Sequence, residues 1–187
     1  MNETANRVLD VAEQLTQTRG FNAFSYKDLQ QEVGVKTSSI HYYFPTKQDL
    51  ALEMTKRYKE RYQDALHSIA RENDNGVGRL AALGRVFVNV VNGDKFCLCG
   101  MLASDCLSMP TSVNNQLKSF FELNESWIAD AIALGQQQGE IKPELSSKRA
   151  ATIFIAMLEG AMLIARSQKN PAYLEEVVKE ALSNFAV

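Results

Sequence analysis

The stretch GVKTSSIHYYFPTK, residues 34–47, decides the fold. Gly34 stops one helical pattern and Pro45 disrupts the next, so a short helix is expected from about Thr37 to Phe44. Ile40 and Phe44, four residues apart, share its inward face. The other positions carry hydrogen-bonding tips: Lys36, Thr37, Ser38, Ser39, His41, Tyr42, Tyr43 and Lys47. A folding core would use aliphatic side chains here, and an ordinary solvated face would use Glu and Lys. This composition suits a surface that meets another polar molecule.

Working outward, the preceding segment YKDLQQEV is a second short helix. Ser25 is its N-cap and Asp28, three residues on, completes a capping box. Before it, Thr4 through Gln17 sets Val8, Val11, Ala12 and Leu15 on one stripe. Arg19-Gly20 ends that helix, with Gly20 expected as a left-handed C-cap. Phe21 and Phe24 sit in the connecting turn. Downstream, Thr46 caps a long connecting helix in which Leu50, Met54, Tyr58, Tyr62, Leu66 and Ile69 recur at helical spacing.

The remainder is also helical. RENDNGVG, residues 71–78, reads as a loop, and Leu80, Leu83, Phe87 and Val91 form the next stripe. A short apolar segment follows at 96–107. Pro110 starts a helix through Val113, Leu117, Phe120, Asn124, Trp127, Ala131 and Leu134. Ser146 or Ser147 caps AATIFIAMLEGAMLIA, which is apolar nearly all round and so must be buried on two sides. Asn170-Pro171 opens the last helix. The fold class is all-α with about nine helices: a three-helix head, a long connector and a C-terminal bundle. The expected division is 1–47 and 48–187.

Bulk properties narrow the function by exclusion. The formal net charge is −2, and residues 1–62 hold nine Lys/Arg against eight Asp/Glu, so nucleic-acid binding must be argued from placement and not from charge. No continuous apolar run approaches the ~18 residues of a membrane span, and the N-terminus lacks a secretory h-region; a cytoplasmic protein with no membrane partner is expected. The only histidines, His41 and His67, lie on separate helices. There is no phosphate-binding glycine loop, H-E-x-x-H or nucleophile elbow. No catalytic residue, metal site or cofactor is assigned, and the chain is not expected to be an enzyme.

A helix, a tight glycine turn and a second helix together resemble a helix-turn-helix, whose second helix lies in the major groove. Lys36 suits a phosphate or a guanine. The hydroxyls of Thr37, Ser38 and Ser39 suit phosphates and base edges, and His41, Tyr42 and Tyr43 present polar tips on apolar rings. The wider pattern resembles the TetR/AcrR family of transcriptional regulators. It is carried by Arg19-Gly20-Phe21, Ser25 through Leu29, Gly34-Val35, and Ile40 through Lys47. The resemblance implies a homodimeric, ligand-responsive repressor. By position it implies phosphate contacts for Ser25, Tyr26, Lys27, Tyr42, Tyr43 and Lys47, and base reading for Thr37 and Ser38. The chain departs from the family pattern in having Lys36-Thr37-Ser38 where Ser-Lys-Gly is common, and His41 where Tyr is frequent.

For the C-terminal domain, Phe87, Phe96, Met101, Phe120, Asn124, Trp127, Phe154, Met157 and Glu159 are candidate ligand contacts. Asn124 and Glu159, polar on apolar faces, need partners either from a neighbouring helix or from a ligand. Cys97, Cys99 and Cys106, an odd count without a signal peptide, argue against a disulfide framework. If 96–107 were one helix, Cys99 and Cys106 would share a face. Cys97, behind Lys95 at a helix start, is the candidate redox thiol, and C97-L-C-G-M-L-A-S-D resembles the segment of family members that respond to electrophiles. The last two helices are expected to form a two-fold interface, with Ala150, Gly160 and Ala161 allowing close approach. The expected partners are thus an inverted-repeat DNA operator, a second copy, and a small-molecule or electrophile effector. A helical homodimeric interaction protein without specific DNA binding is the alternative.

Overall fold

The computed structural model describes residues 2–187. Among them are nine α-helices: α1 (Glu3–Arg19), α2 (Tyr26–Val33), α3 (Thr37–Tyr43), α4 (Lys47–Glu72), α5 (Gly76–Asn92), α6 (Leu98–Ala103), α7 (Thr111–Gln137), α8 (Ser147–Gln168) and α9 (Ala172–Phe185). The only extended pairing among these residues is an isolated bridge between Ile141 and Ala186.

The chain forms two compact units. One comprises the chain up to Arg61 together with Cys97–Ser119, and the other Tyr62–Phe96 with Phe120–Val187. The first half of α4 belongs with the head because Arg57 pairs with Asp10 at 2.8 Å, Arg61 pairs with Glu13 at 2.5 Å, and Met54 packs under Thr16. Helix α6 belongs there too, since it packs on α1.

In the first unit, Leu9, Leu29, Ile40, Phe44, Leu50 and Met54 are fully or almost fully buried. Gly34 turns α2 into α3 with φ 76° and ψ 29°, the left-handed region that a side chain would strain. Gly20 also has positive φ, 100°, but with ψ 151° it is not the left-handed cap expected from the sequence. The apolar segment 96–107 is not one helix. Helix α6 ends at Ala103 and Cys106 opens a separate 3-10 turn, so Cys99 and Cys106 do not share a helical face.

In the second unit, α5 begins at Gly76, inside the stretch expected to be a loop. A side chain there would not fit: a β-carbon on Gly76 would lie 2.3 Å from the Ala131 carbonyl oxygen and the Gly135 nitrogen of α7. Helices α5, α8 and α9 pack mutually. Helix α8 buries Phe154, Ile155, Leu158 and Met162, and exposes Ile153, Leu163 and Ile164. Ala150 and Ala161 are buried, and Gly160 has open space around it. Helix α8, 22 residues long, contains an 18-residue window of mean hydropathy 1.5, and 44% of that window is buried inside the protein.

Candidate nucleic-acid interface

Helix α3 is seven residues long and is held at both ends by side chains from elsewhere. Lys36 occupies its N-cap position without capping it. Gln30 of α2 does so instead: its Oε1 accepts the Thr37 backbone N–H at 3.2 Å and the Thr37 hydroxyl proton as well. At the other end the Tyr26 hydroxyl reaches the carbonyls of Phe44 (2.8 Å) and Thr46 (2.7 Å). His41 lies against Tyr26, ring centres 4.7 Å apart, with Nδ1 3.1 Å from the Pro45 carbonyl.

Two of the residues expected on phosphates make contacts within the head. Tyr26 was expected on a phosphate, but its hydroxyl proton is committed to the α3–α4 joint. Burial, and secondarily the charge of Asp49, hold that hydroxyl above the ordinary phenol range. Lys47 was also expected on a phosphate. Its ammonium donates to the carbonyls of Phe21 and Phe24 and lies 4.6 and 4.3 Å from their ring centres. Burial holds it below the ordinary lysine range despite Asp105 and Asp28. Both side chains fasten the first turn of α4 to the head.

The cap of α2 forms as the sequence indicates. Asp28 Oδ2 accepts from the Ser25 backbone and hydroxyl, each at 2.7 Å, and these bonds hold Asp28 below the usual carboxylate range. Ser25, Lys27, Lys36, Ser38, His41 and Tyr42 are exposed. Tyr42 is 79% exposed and meets Tyr43 edge to face at 5.0 Å. Tyr43 accepts from Asn2, whose Oδ1 also caps α1 at Ala5. The hydroxyls of Ser38, Ser39 and Tyr42 make no hydrogen bond to another described residue. Asn2 and Gln30 were not singled out in the sequence; a Gln seven residues before a helix start carries no local signal.

The ligand candidates divide differently. Met101 lies in the first unit, beside Gly20, and the other eight lie in the second. Asn124 is completely buried and bonded within the protein, accepting from the Tyr62 hydroxyl at 2.5 Å and donating to the Phe120 carbonyl at 2.9 Å. Phe87, Phe96, Phe120 and Phe154 are buried, whereas Trp127, Met157 and Glu159 are partly exposed. A groove of about 450 Å³ opens between α5 and α9, with Gly84, Val88 and Val178 buried in it and Arg85, Glu175 and Lys179 exposed; it takes none of the nine candidates. Cys97 is buried at the start of α6, its sulfur accepting the Gly100 N–H at 3.4 Å, and Cys106 is exposed. No group of three or more His, Cys, Asp or Glu among the described residues is placed to hold a metal.

Residues 8–54 match the profile of bacterial regulatory proteins of the tetR family, and residues 76–181 match a tetracyclin repressor-like C-terminal domain. The chain belongs to the TetR family. A TetR-family regulator from Agrobacterium tumefaciens has the same fold with TM-score 0.93 at 27% identity, covering 98% of each chain. One from Legionella pneumophila has TM-score 0.87 at 32% identity, covering 99% of this chain and 98% of its own. Reduced NemR of E. coli, at 19% identity and TM-score 0.83 over 99% and 98%, shares the fold. A comparison with curated proteins gave no match. This TetR-family chain is therefore a DNA-binding transcriptional regulator, with α2–α3 as its helix-turn-helix.

Proposed function

We propose that the protein is a homodimeric repressor that binds an inverted-repeat operator and leaves it when its helical C-terminal domain takes up a small effector. The observation that carries the reading is the outward set on α3 and its flank: Lys36, Ser38, Ser39 and Tyr42 present tips that no other part of the described chain engages. Phosphate contacts come from Lys27, Lys36 and Tyr42, and base contacts from Thr37 and Ser38. Two copies join through α8 and α9, where Ile153, Leu163 and Ile164 are exposed, and the two-fold axis places the α3 helices about one helical turn (~34 Å) apart or somewhat more. An effector that favours another spacing lowers affinity by its differential binding energy to the two states.

Thiol chemistry at Cys97, at the start of α6, is a second route to release. Selection of duplexes from a random pool by reduced protein tests the main reading. Enrichment of one inverted repeat is expected, and release of that probe by an electrophile from wild type but not from Cys97→Ser would assign the thiol route. A folded dimer that enriches nothing would favour a helical interaction protein instead.

A further inference from the structure

The contact between Gln30 and Thr37 sets a donor and an acceptor side by side at the start of α3. The Thr37 backbone N–H can only donate, so the Gln30 atom facing it must be the carbonyl oxygen, not the amide nitrogen. That oxygen also takes the Thr37 hydroxyl proton. It carries two lone pairs and both are used. Two consequences follow. The Thr37 hydroxyl has spent its single proton and can act toward DNA only as an acceptor. The Gln30 amide nitrogen, on an exposed side chain, offers only donors. Ser38 and Ser39 differ, since their hydroxyls are not tied to another described residue and can turn either way.

In the major groove, adenine shows an acceptor, N7, beside a donor, the N6 amine. Guanine shows two acceptors, and one of them would face the spent Thr37 oxygen. Cytosine shows only the N4 donor and leaves the Gln30 amide idle. We propose that Gln30 and Thr37 together form one composite reader of an adenine in each operator half-site, Gln30 donating to N7 and Thr37 accepting from N6. Gln30 is then a specificity-determining residue in the helix before the reading helix, working both directly and by fixing the polarity of Thr37. The inference rests on the proposed operator-binding function and names one letter of the operator.

Parallel selection experiments with wild type, Gln30→Glu and Gln30→Ala test it, with circular dichroism as the check on folding. Wild type should prefer adenine at one position of each half-site on the order of tenfold. Gln30→Glu keeps both bonds to Thr37, and so keeps the helix cap, but turns the outward donor into an acceptor. Its preference at that position should move from adenine to cytosine, with the rest of the half-site unchanged. Gln30→Ala frees the Thr37 hydroxyl, and the preference there should fall to about threefold or less. Identical base preferences in all three proteins, with affinity merely scaled, would overturn the composite reader and reduce Gln30 to a structural cap. A wild type that enriches no sequence would overturn the operator-binding reading and this inference together.

Discussion

Tyr62 of α4 donates its hydroxyl proton to Asn124 of α7 at 2.5 Å, and both residues are buried. The Asn124 amide N–H in turn donates a hydrogen bond to the Phe120 carbonyl, and the Tyr62 and Phe120 rings lie 4.9 Å apart. This polar link joins two long helices inside an apolar interior, where an unmet acceptor is expensive. Tyr62→Phe leaves Asn124 Oδ1 unmet and should destabilise the protein by about 1–3 kcal/mol in urea unfolding. Combining it with Asn124→Leu should give a loss clearly smaller than the sum of the two single changes.

Lys47 and Lys36 separate by job. The Lys47 ammonium is bound to the carbonyls of Phe21 and Phe24, whereas Lys36 is exposed beside α3. Lys47→Met should lower stability by about 1–2 kcal/mol and leave the salt dependence of operator binding unchanged. Lys36→Met should do the reverse, leaving the melting temperature in place and reducing the salt slope by about one per head. A reduced slope for Lys47→Met would return its ammonium to the phosphates.

The Tyr26 hydroxyl is protonated in the folded head well beyond the ordinary phenol range. A group with a raised folded-state pKa gives stability that is fully present below its unfolded value, about 10, and is lost as pH rises through the folded value. Stability should therefore decline above about pH 10 as Tyr26 loses its proton. Spectrophotometric titration of tyrosinate in wild type and Tyr26→Phe checks this: the variant should lack a step above the ordinary phenol range.

The approach of α5 to α7 at Gly76 tolerates no side chain. A β-carbon would meet backbone atoms of Ala131 and Gly135 at 2.3 Å, and backbone cannot turn aside as a side chain end can. Gly76→Ala should destabilise by roughly 2–3 kcal/mol, whereas Gly160→Ala, with open space around it, should leave monomer stability nearly unchanged. Thermal unfolding of the two variants decides it.

On α8, Leu163 is 58% exposed, and Ile153 and Ile164 are exposed as well. Leu163→Glu should keep the helical content, shift the protein to a monomer in sedimentation, and weaken operator binding by more than tenfold, because one head alone holds half the contacts. A stable dimer from this variant would move the interface off α8.

The helices were legible because their signals are local. Ser25 with Asp28, Thr46 with Asp49, and Ser146 with the Arg149 N–H each close within three residues, and all three caps form. Stripes at helical spacing did the rest. Pairing across the chain was not legible. Tyr26, Lys47 and Thr37 have tips that suit a phosphate or base as well as a backbone carbonyl or amide, and a sequence cannot say which lies within reach.

Sequence alone determined the nine-helix order, the glycine turn between α2 and α3, and the family, because capping, helical periodicity and left-handed turns depend on residues a few positions apart. Tertiary structure decided which polar tips are tied within the fold. Tyr26 reaches a carbonyl 20 residues on, Lys47 one 26 residues back, and Gln30 a threonine across the turn. A hydrogen-bonding group satisfied inside the fold is withdrawn from the surface, and only chain folding brings those partners within three ångströms.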